Sequence, residues 1–133
     1  MNGQQFIDTV ILYFNDFLAQ YGFTFVEGKY SGRLYDVQFE SVKYSLSISY
    51  EPGDDYLLVV LFTLKEGKLS DFDDRTQTFR LGDLNAKFMP LISSDEINEN
   101  NVYFSRYVAT TPLEKQLLKS AKDLRLCMKK LVP

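Results

Sequence analysis

From Tyr44 to Tyr50 the chain alternates without a break, with Tyr44, Leu46, Ile48 and Tyr50 on one parity and Ser45, Ser47 and Ser49 on the other. Successive side chains of a strand point to opposite faces, so this run predicts a β-strand with one apolar face and one face of small hydroxyls. Such a strand is stable only where neighbouring strands continue both faces. The segments around it supply them. Phe23 to Glu27 is a short candidate carrying Phe23, Phe25 and Val26. Leu34 to Glu40 alternates Tyr35, Val37 and Phe39 against Asp36, Gln38 and Glu40. Tyr56 to Leu64 is apolar on both parities. Turn chemistry separates these runs at Gly28 to Gly32, at Glu40-Ser41 and at Glu51 to Asp55, where Pro52-Gly53 predicts a type II turn with Gly53 at positive φ. Short links between consecutive strands imply an antiparallel meander.

A strand apolar on both sides is normally an internal one, because on an open edge it invites aggregation. Thr76 to Leu81 is therefore expected to pair beside Tyr56 to Leu64, or the C-terminal region to cover it. Leu57, Val59 and Leu61 are read as continuing the serine face. That face would then be half apolar and would need cover from a helix of this chain or from another molecule.

Helical spacing frames the strands. Phe6, Val10, Tyr13, Phe14, Phe17, Leu18 and Tyr21 recur at three and four residues, and Gly22 follows in a position suited to a left-handed cap. Residues 66–75 read as a polar loop. A short helical pattern through Leu84 and Phe88 stops at Pro90. Ser93 and Glu96 stand at capping-box spacing, and the helix they start is expected to be short because Asn98, Asn100 and Asn101 interrupt it. Val102 to Val108 is left open. Thr111-Pro112-Leu113-Glu114 combines an N-cap, proline at the first helical position and a capping-box glutamate. The helix it opens runs toward Leu131 on a stripe of Leu113, Leu117, Ala121, Leu124, Met128 and Leu131. The expectation is a single α+β domain over residues 1–133. It has a four- to five-stranded antiparallel meander, an N-terminal helix and C-terminal helices packed on the sheet.

Composition narrows the chemistry. There is no histidine, which removes the commonest general base and metal ligand and the usual serine and cysteine triads. The single cysteine, Cys127, cannot form an internal disulfide or a four-cysteine zinc site. It shares the last helix with Leu124 and Leu131 and reads as a buried small hydrophobe. Counting an EF-hand loop from Asp71 puts Thr76 and Gly82 where glycine and an acid are needed, so the match fails. No phosphate-cradling glycine loop occurs. The sequence therefore nominates no catalytic residue, cofactor or metal ligand. Residues 1–20 lack the basic start and unbroken apolar run of a signal peptide, and no stretch is long and apolar enough to span a membrane. A cytoplasmic location is the expectation.

Charge is uneven. Residues 1–110 carry 9 basic and 16 acidic groups, and residues 111–133 carry 6 basic and 2 acidic ones. An acidic body disfavours a nucleic-acid partner, and the basic helix face is read as pairing with that body. The densest acidic positions, Asp54, Asp55, Asp71, Asp73 and Asp74, are the candidates for binding a protein partner. A homodimer through Leu57, Val59 and Leu61 is a further expectation.

The aromatic first helix, the run Phe39-Glu40-Ser41-Val42-Lys43-Tyr44-Ser45-Leu46-Ser47-Ile48-Ser49-Tyr50 and the closing helix together resemble, in layout, small cytosolic bacterial immunity proteins of polymorphic and contact-dependent toxin systems. The resemblance covers most of the chain and transfers no functional residue. It implies a non-catalytic domain that neutralises one toxin domain, often a basic nuclease, through an acidic surface. The alternative is a small-ligand-binding or enzymatic α+β domain with a pocket between sheet and helices, to which Arg33, Arg75, Arg80 or Arg106 would contribute.

Overall fold

The structure is a computed structural model that describes residues 1–132. It is an α+β fold whose chain forms two compact units, one spanning Met1–Arg80 and one from Leu81 onward.

The first unit is a helix on an antiparallel sheet. Helix α1 spans Gly3–Gln20 and starts at a capping box in which Asn2 and Gln5 satisfy each other's backbone N–H groups. It ends as expected, with Gly22 at φ 84°. The strands are β1 Thr24–Tyr30, β2 Tyr35–Glu40, β3 Tyr44–Glu51, β4 Tyr56–Lys65, β5 Lys68–Leu69 and β6 Thr78–Arg80. The first four form the meander, and β6 pairs antiparallel with β4, so β4 is internal as its two apolar parities require.

Helix α1 lies on the face of Tyr35, Val37, Phe39, Leu46, Ile48 and Tyr50. Its Phe6 ring sits 5.6 Å from Tyr35 and 6.0 Å from Tyr50. Val37, Phe39, Leu46 and Ile48 are fully buried together with Phe6, Val10, Phe14 and Phe17. Burying one such side chain contributes roughly 1.5–3 kcal/mol, so this layer is the main cohesion of the unit.

The β3–β4 register corrects the assignment of faces. Ser45 lies opposite Phe62, Ser47 opposite Val60 and Ser49 opposite Leu58, whereas Leu46, Ile48 and Tyr50 face Leu61, Val59 and Leu57. Directly opposed residues share a face. Leu57, Val59 and Leu61 therefore belong to the helix-covered face, and Leu58, Val60 and Phe62 adjoin the serines. The cause is the connection Pro52 to Asp55, which closes the hairpin at Glu51 and Tyr56 and fixes parity for the whole pair. With Val59 6% and Leu61 1% exposed, the expected dimer contact through these residues is not available.

Three local readings also change. The type II turn does not form at Gly53; the left-handed residue is Asp55, at φ 48°. Aspartate tolerates that region better than most residues. The expected loop 66–75 opens with a tight hairpin instead, because Glu66 and Gly67 both take positive φ and carry the chain into β5. Strand β1 continues through Gly28 to Tyr30, where a turn was expected. Gly28 lies opposite Val37, and a Cβ there would come 2.8 Å from Ile7, so glycine serves the close approach of α1 rather than a turn.

The second unit is helical: α2 Leu81–Phe88, a 3-10 turn Met89–Leu91, α3 Ser94–Phe104 and α4 Pro112–Leu131. Both expected capping boxes form, Ser93 with Glu96 and Thr111 with Glu114. Helix α3 runs through all three asparagines, contrary to expectation. Asn100 is buried, its amide donates to the Lys122 carbonyl at 3.0 Å, and its side-chain oxygen accepts from Arg125 at 2.8 Å. These bonds to α4 outweigh a helix penalty of a few tenths of a kcal/mol.

Gly3 offers a test of α1 docking. A Cβ at this position would lie 2.2 Å from Cγ of Tyr30, near the root of that side chain. Helix propensity alone favours alanine by about 1 kcal/mol. The overlap is expected to reverse that sign, so Gly3→Ala lowers unfolding free energy by about 1–3 kcal/mol in urea. Adding Tyr30→Ala recovers part of the loss.

Candidate functional site

The five acidic candidates do not form one patch. Asp54 and Asp55 sit in the β3–β4 connection, and Asp71, Asp73 and Asp74 lie between β5 and β6. Strand β4 separates the two groups, and from Tyr56 to Thr63 it alone spans about 20 Å at ~3.3 Å per residue. Among the described residues no group of His, Cys, Asp or Glu is placed to hold a metal ion.

Each end has its own geometry. At the first, the Tyr50 hydroxyl donates to Oδ1 of Asp55 at 2.5 Å. The Asp55 carboxylate thereby ties the turn to the sheet, and Asp54 and Glu51 remain exposed beside it. The hydrogen bond to Asp55, and secondarily burial, push the Tyr50 phenol up to about 12.

At the other end, Ser70 organises the loop. Its N–H donates to the Thr63 carbonyl at 3.0 Å, and its Oγ accepts from the Thr63 N–H at 3.2 Å. The Ser70 and Thr78 hydroxyls are 2.6 Å apart, and Thr78 donates to the Asp71 carbonyl at 2.6 Å. Asp74 accepts from the N–H and the hydroxyl of Thr76, and the hydroxyl bond first of all holds its carboxyl below the ordinary aspartate range. Asp74 thus shapes the loop, while Asp71 and Asp73 project from it exposed. Between them Phe72 is 42% exposed, with the Arg80 guanidinium 4.3 Å from its ring centre. Leu69 is exposed nearby. A hollow of about 400 Å³ beside the loop is lined by Lys65, Lys68, Ser70, Asp71 and Asp74 among others.

Sequence reasoning missed a polar cluster on the serine face. Asp36 is 7% exposed and accepts from the Ser47 hydroxyl at 2.8 Å and the Gln38 amide at 3.1 Å. The signal was the polar parity of β2, which the register sets against the serines: Asp36 opposite Ser49, Gln38 opposite Ser47, Glu40 opposite Ser45. Ser45, Val60 and Thr78 on the same face are also buried, and small hydroxyls suit a layer with so little room.

In the second unit the basic side of α4 meets acids of α3. Glu99 takes Lys129 at 2.7 Å and Arg125 at 3.4 Å, and Lys130 reaches Glu96 at 3.3 Å. The bond from Lys129, followed by that from Arg125, holds the Glu99 carboxyl below its ordinary range. Arg125 is buried and stacks on Tyr103, 3.9 Å from the ring centre. These cations are thus engaged within the unit. Cys127 is fully buried, its thiol donates to Oδ1 of Asn85 at 3.4 Å, and burial pushes it up to about 12.

Two measurements check these assignments. The folded Tyr50 phenol ionises above the unfolded one, so its contribution to stability is complete below about pH 10 and is lost as pH rises toward about 12. Tyr50→Phe is expected to remove that component of the alkaline loss in urea titrations between these pH values, and to cost about 1 kcal/mol at neutral pH through loss of the hydrogen bond to Asp55. For Cys127, a neutral buried thiol is a poor nucleophile. A thiol reagent at neutral pH should label it only on unfolding; rapid labelling of the native protein would contradict the burial.

Among known proteins, no family model, no curated protein and no solved structure matches this chain.

Proposed function

We propose that the chain is a non-catalytic protein-interaction domain of the immunity type, which neutralises a basic toxin domain through carboxylates of its sheet unit. The observation that carries this reading is the loop Asp71-Phe72-Asp73-Asp74. Its backbone is fixed by Ser70, Thr76 and Thr78, and it offers exposed carboxylates on either side of a half-exposed aromatic ring. A loop fixed before binding loses little entropy on association, and an exposed aromatic ring is of the type enriched at protein interfaces, with polar groups at the rim. Long-range charge agrees: Met1–Arg80 holds twelve acidic and seven basic groups, and a field of that sign speeds encounter with a basic partner. A bacterial, cytoplasmic setting follows from the same reading. No helix among the described residues is long and apolar enough to cross a membrane.

The test is capture of the adjacent gene product by the purified protein, followed by association kinetics. Asp73→Lys is expected to slow association a few-fold at low salt, with the difference shrinking as salt is raised. Asp54→Lys, at the far end of β4, reports whether the partner spans both acidic ends. Turnover of a small molecule in the hollow beside Lys65 and Lys68, with no protein captured, would instead establish the ligand-binding or enzymatic alternative.

A further inference from the structure

Strand β1 pairs with β2 along one side and ends the sheet on the other. The Ser31 N–H donates to the Leu34 carbonyl, and in an antiparallel ladder alternate residues turn their backbone groups toward the same neighbour. Lys29 and Glu27 therefore bond toward β2, and the backbone groups of Gly28 and Tyr30 point outward from the edge. The register shift at Val26 lies just before this segment, so Glu27 to Tyr30 is its regular part. Phe25, Val26 and Tyr30 are each more than 40% exposed here.

The charges along this edge are self-complementary about Gly28. Glu27 and Lys29 lie on the same face, opposite Gln38 and Asp36. We propose that β1 is a homodimer interface, in which two copies pair antiparallel about a two-fold axis at Gly28 and join their sheets. Gly28 then exchanges both backbone hydrogen bonds with Gly28 of the second copy, a pairing that uses the outward groups. Glu27 falls opposite Lys29 of the other copy, and Lys29 opposite its Glu27. Across the joined face the charges alternate, with Lys29 between Asp36 of its own chain and Glu27 of the second. One ion pair is thus used twice, as an isologous contact requires. The occupant is a second copy because this pattern complements itself; a strand of another protein would need the same alternation by chance.

Sedimentation equilibrium tests the proposal. Wild-type protein is expected to show a concentration-dependent monomer–dimer equilibrium. Glu27→Lys turns two attractive cross-strand pairs into two repulsive ones and should weaken the dimer about tenfold. Lys29→Glu should do the same. When the two variants are mixed in equal amounts, the edge that carries only lysines at these two positions meets the edge that carries only glutamates. The mixture should therefore recover dimers as heterodimers. Circular dichroism of each variant verifies folding, and Glu27→Lys alone is decisive if Lys29→Glu is destabilised by its new neighbour Asp36. A wild-type monomer at every concentration overturns the proposal, since the shift at Val26 and Lys29 would then be protecting the edge. A dimer that Glu27→Lys leaves unchanged also overturns it.

Discussion

Pairing between β3 and β4 is the constraint on which the sheet unit depends. The hairpin closes at Glu51 and Tyr56, and every opposed pair down to Tyr44 and Thr63 inherits its parity. That parity sends Leu57, Val59 and Leu61 under the helix-covered face and Leu58, Val60 and Phe62 beside the serines. A slip of one residue would exchange these sets. Because β4 is apolar on both parities, its own composition does not resist such a slip. The specification comes from β3, whose serines and large side chains are not interchangeable, and from the Tyr50–Asp55 bond that pins the turn.

The same register explains the small hydroxyls. Ser47 donates to Asp36, a carboxylate that would be costly to bury without donors. Ser45 is nearly inaccessible, opposite the Phe62 ring. Small side chains at these positions leave room for the bulk across from them. Ser70 and Thr78 repeat the theme at the far end of β4, where hydroxyls close the turn into β6. All five carboxylates of the end loops are exposed, but Asp55 and Asp74 also hold their turns through hydrogen bonds from Tyr50 and Thr76, which sets them apart from a second group, Asp54, Asp71 and Asp73. Only the second group is available to a partner without loss of loop structure.

In the helical unit, buried polar side chains add to the apolar stripe of Leu113, Leu117, Ala121, Leu124 and Met128. Asn100 and Arg125 are both buried and bonded to each other, and Arg125 also covers the Tyr103 ring. Much of the basic excess of the last helix is engaged by Glu96 and Glu99. Arg125, Lys129 and Lys130 therefore face α3, whereas Lys119 stays exposed beside Asp123.

Local sequence determined what is local. The helix stripes, the Ser93 and Thr111 caps, the left-handed Gly22 and the alternation of β2 and β3 are all legible, since each depends on contacts within a few residues. So is the internal position of β4, because two apolar parities leave a strand little choice. Tertiary structure decided the rest. The face of Leu57 depends on a register set across the hairpin, and the role of Gly28 on how closely α1 descends. The helix through Asn100 depends on acceptors and donors twenty-two and twenty-five residues away. The acidic candidates were legible as charges. Whether each carboxylate also serves as a structural acceptor was fixed only when the fold brought Tyr50 to Asp55 and left Asp54, Asp71 and Asp73 facing water.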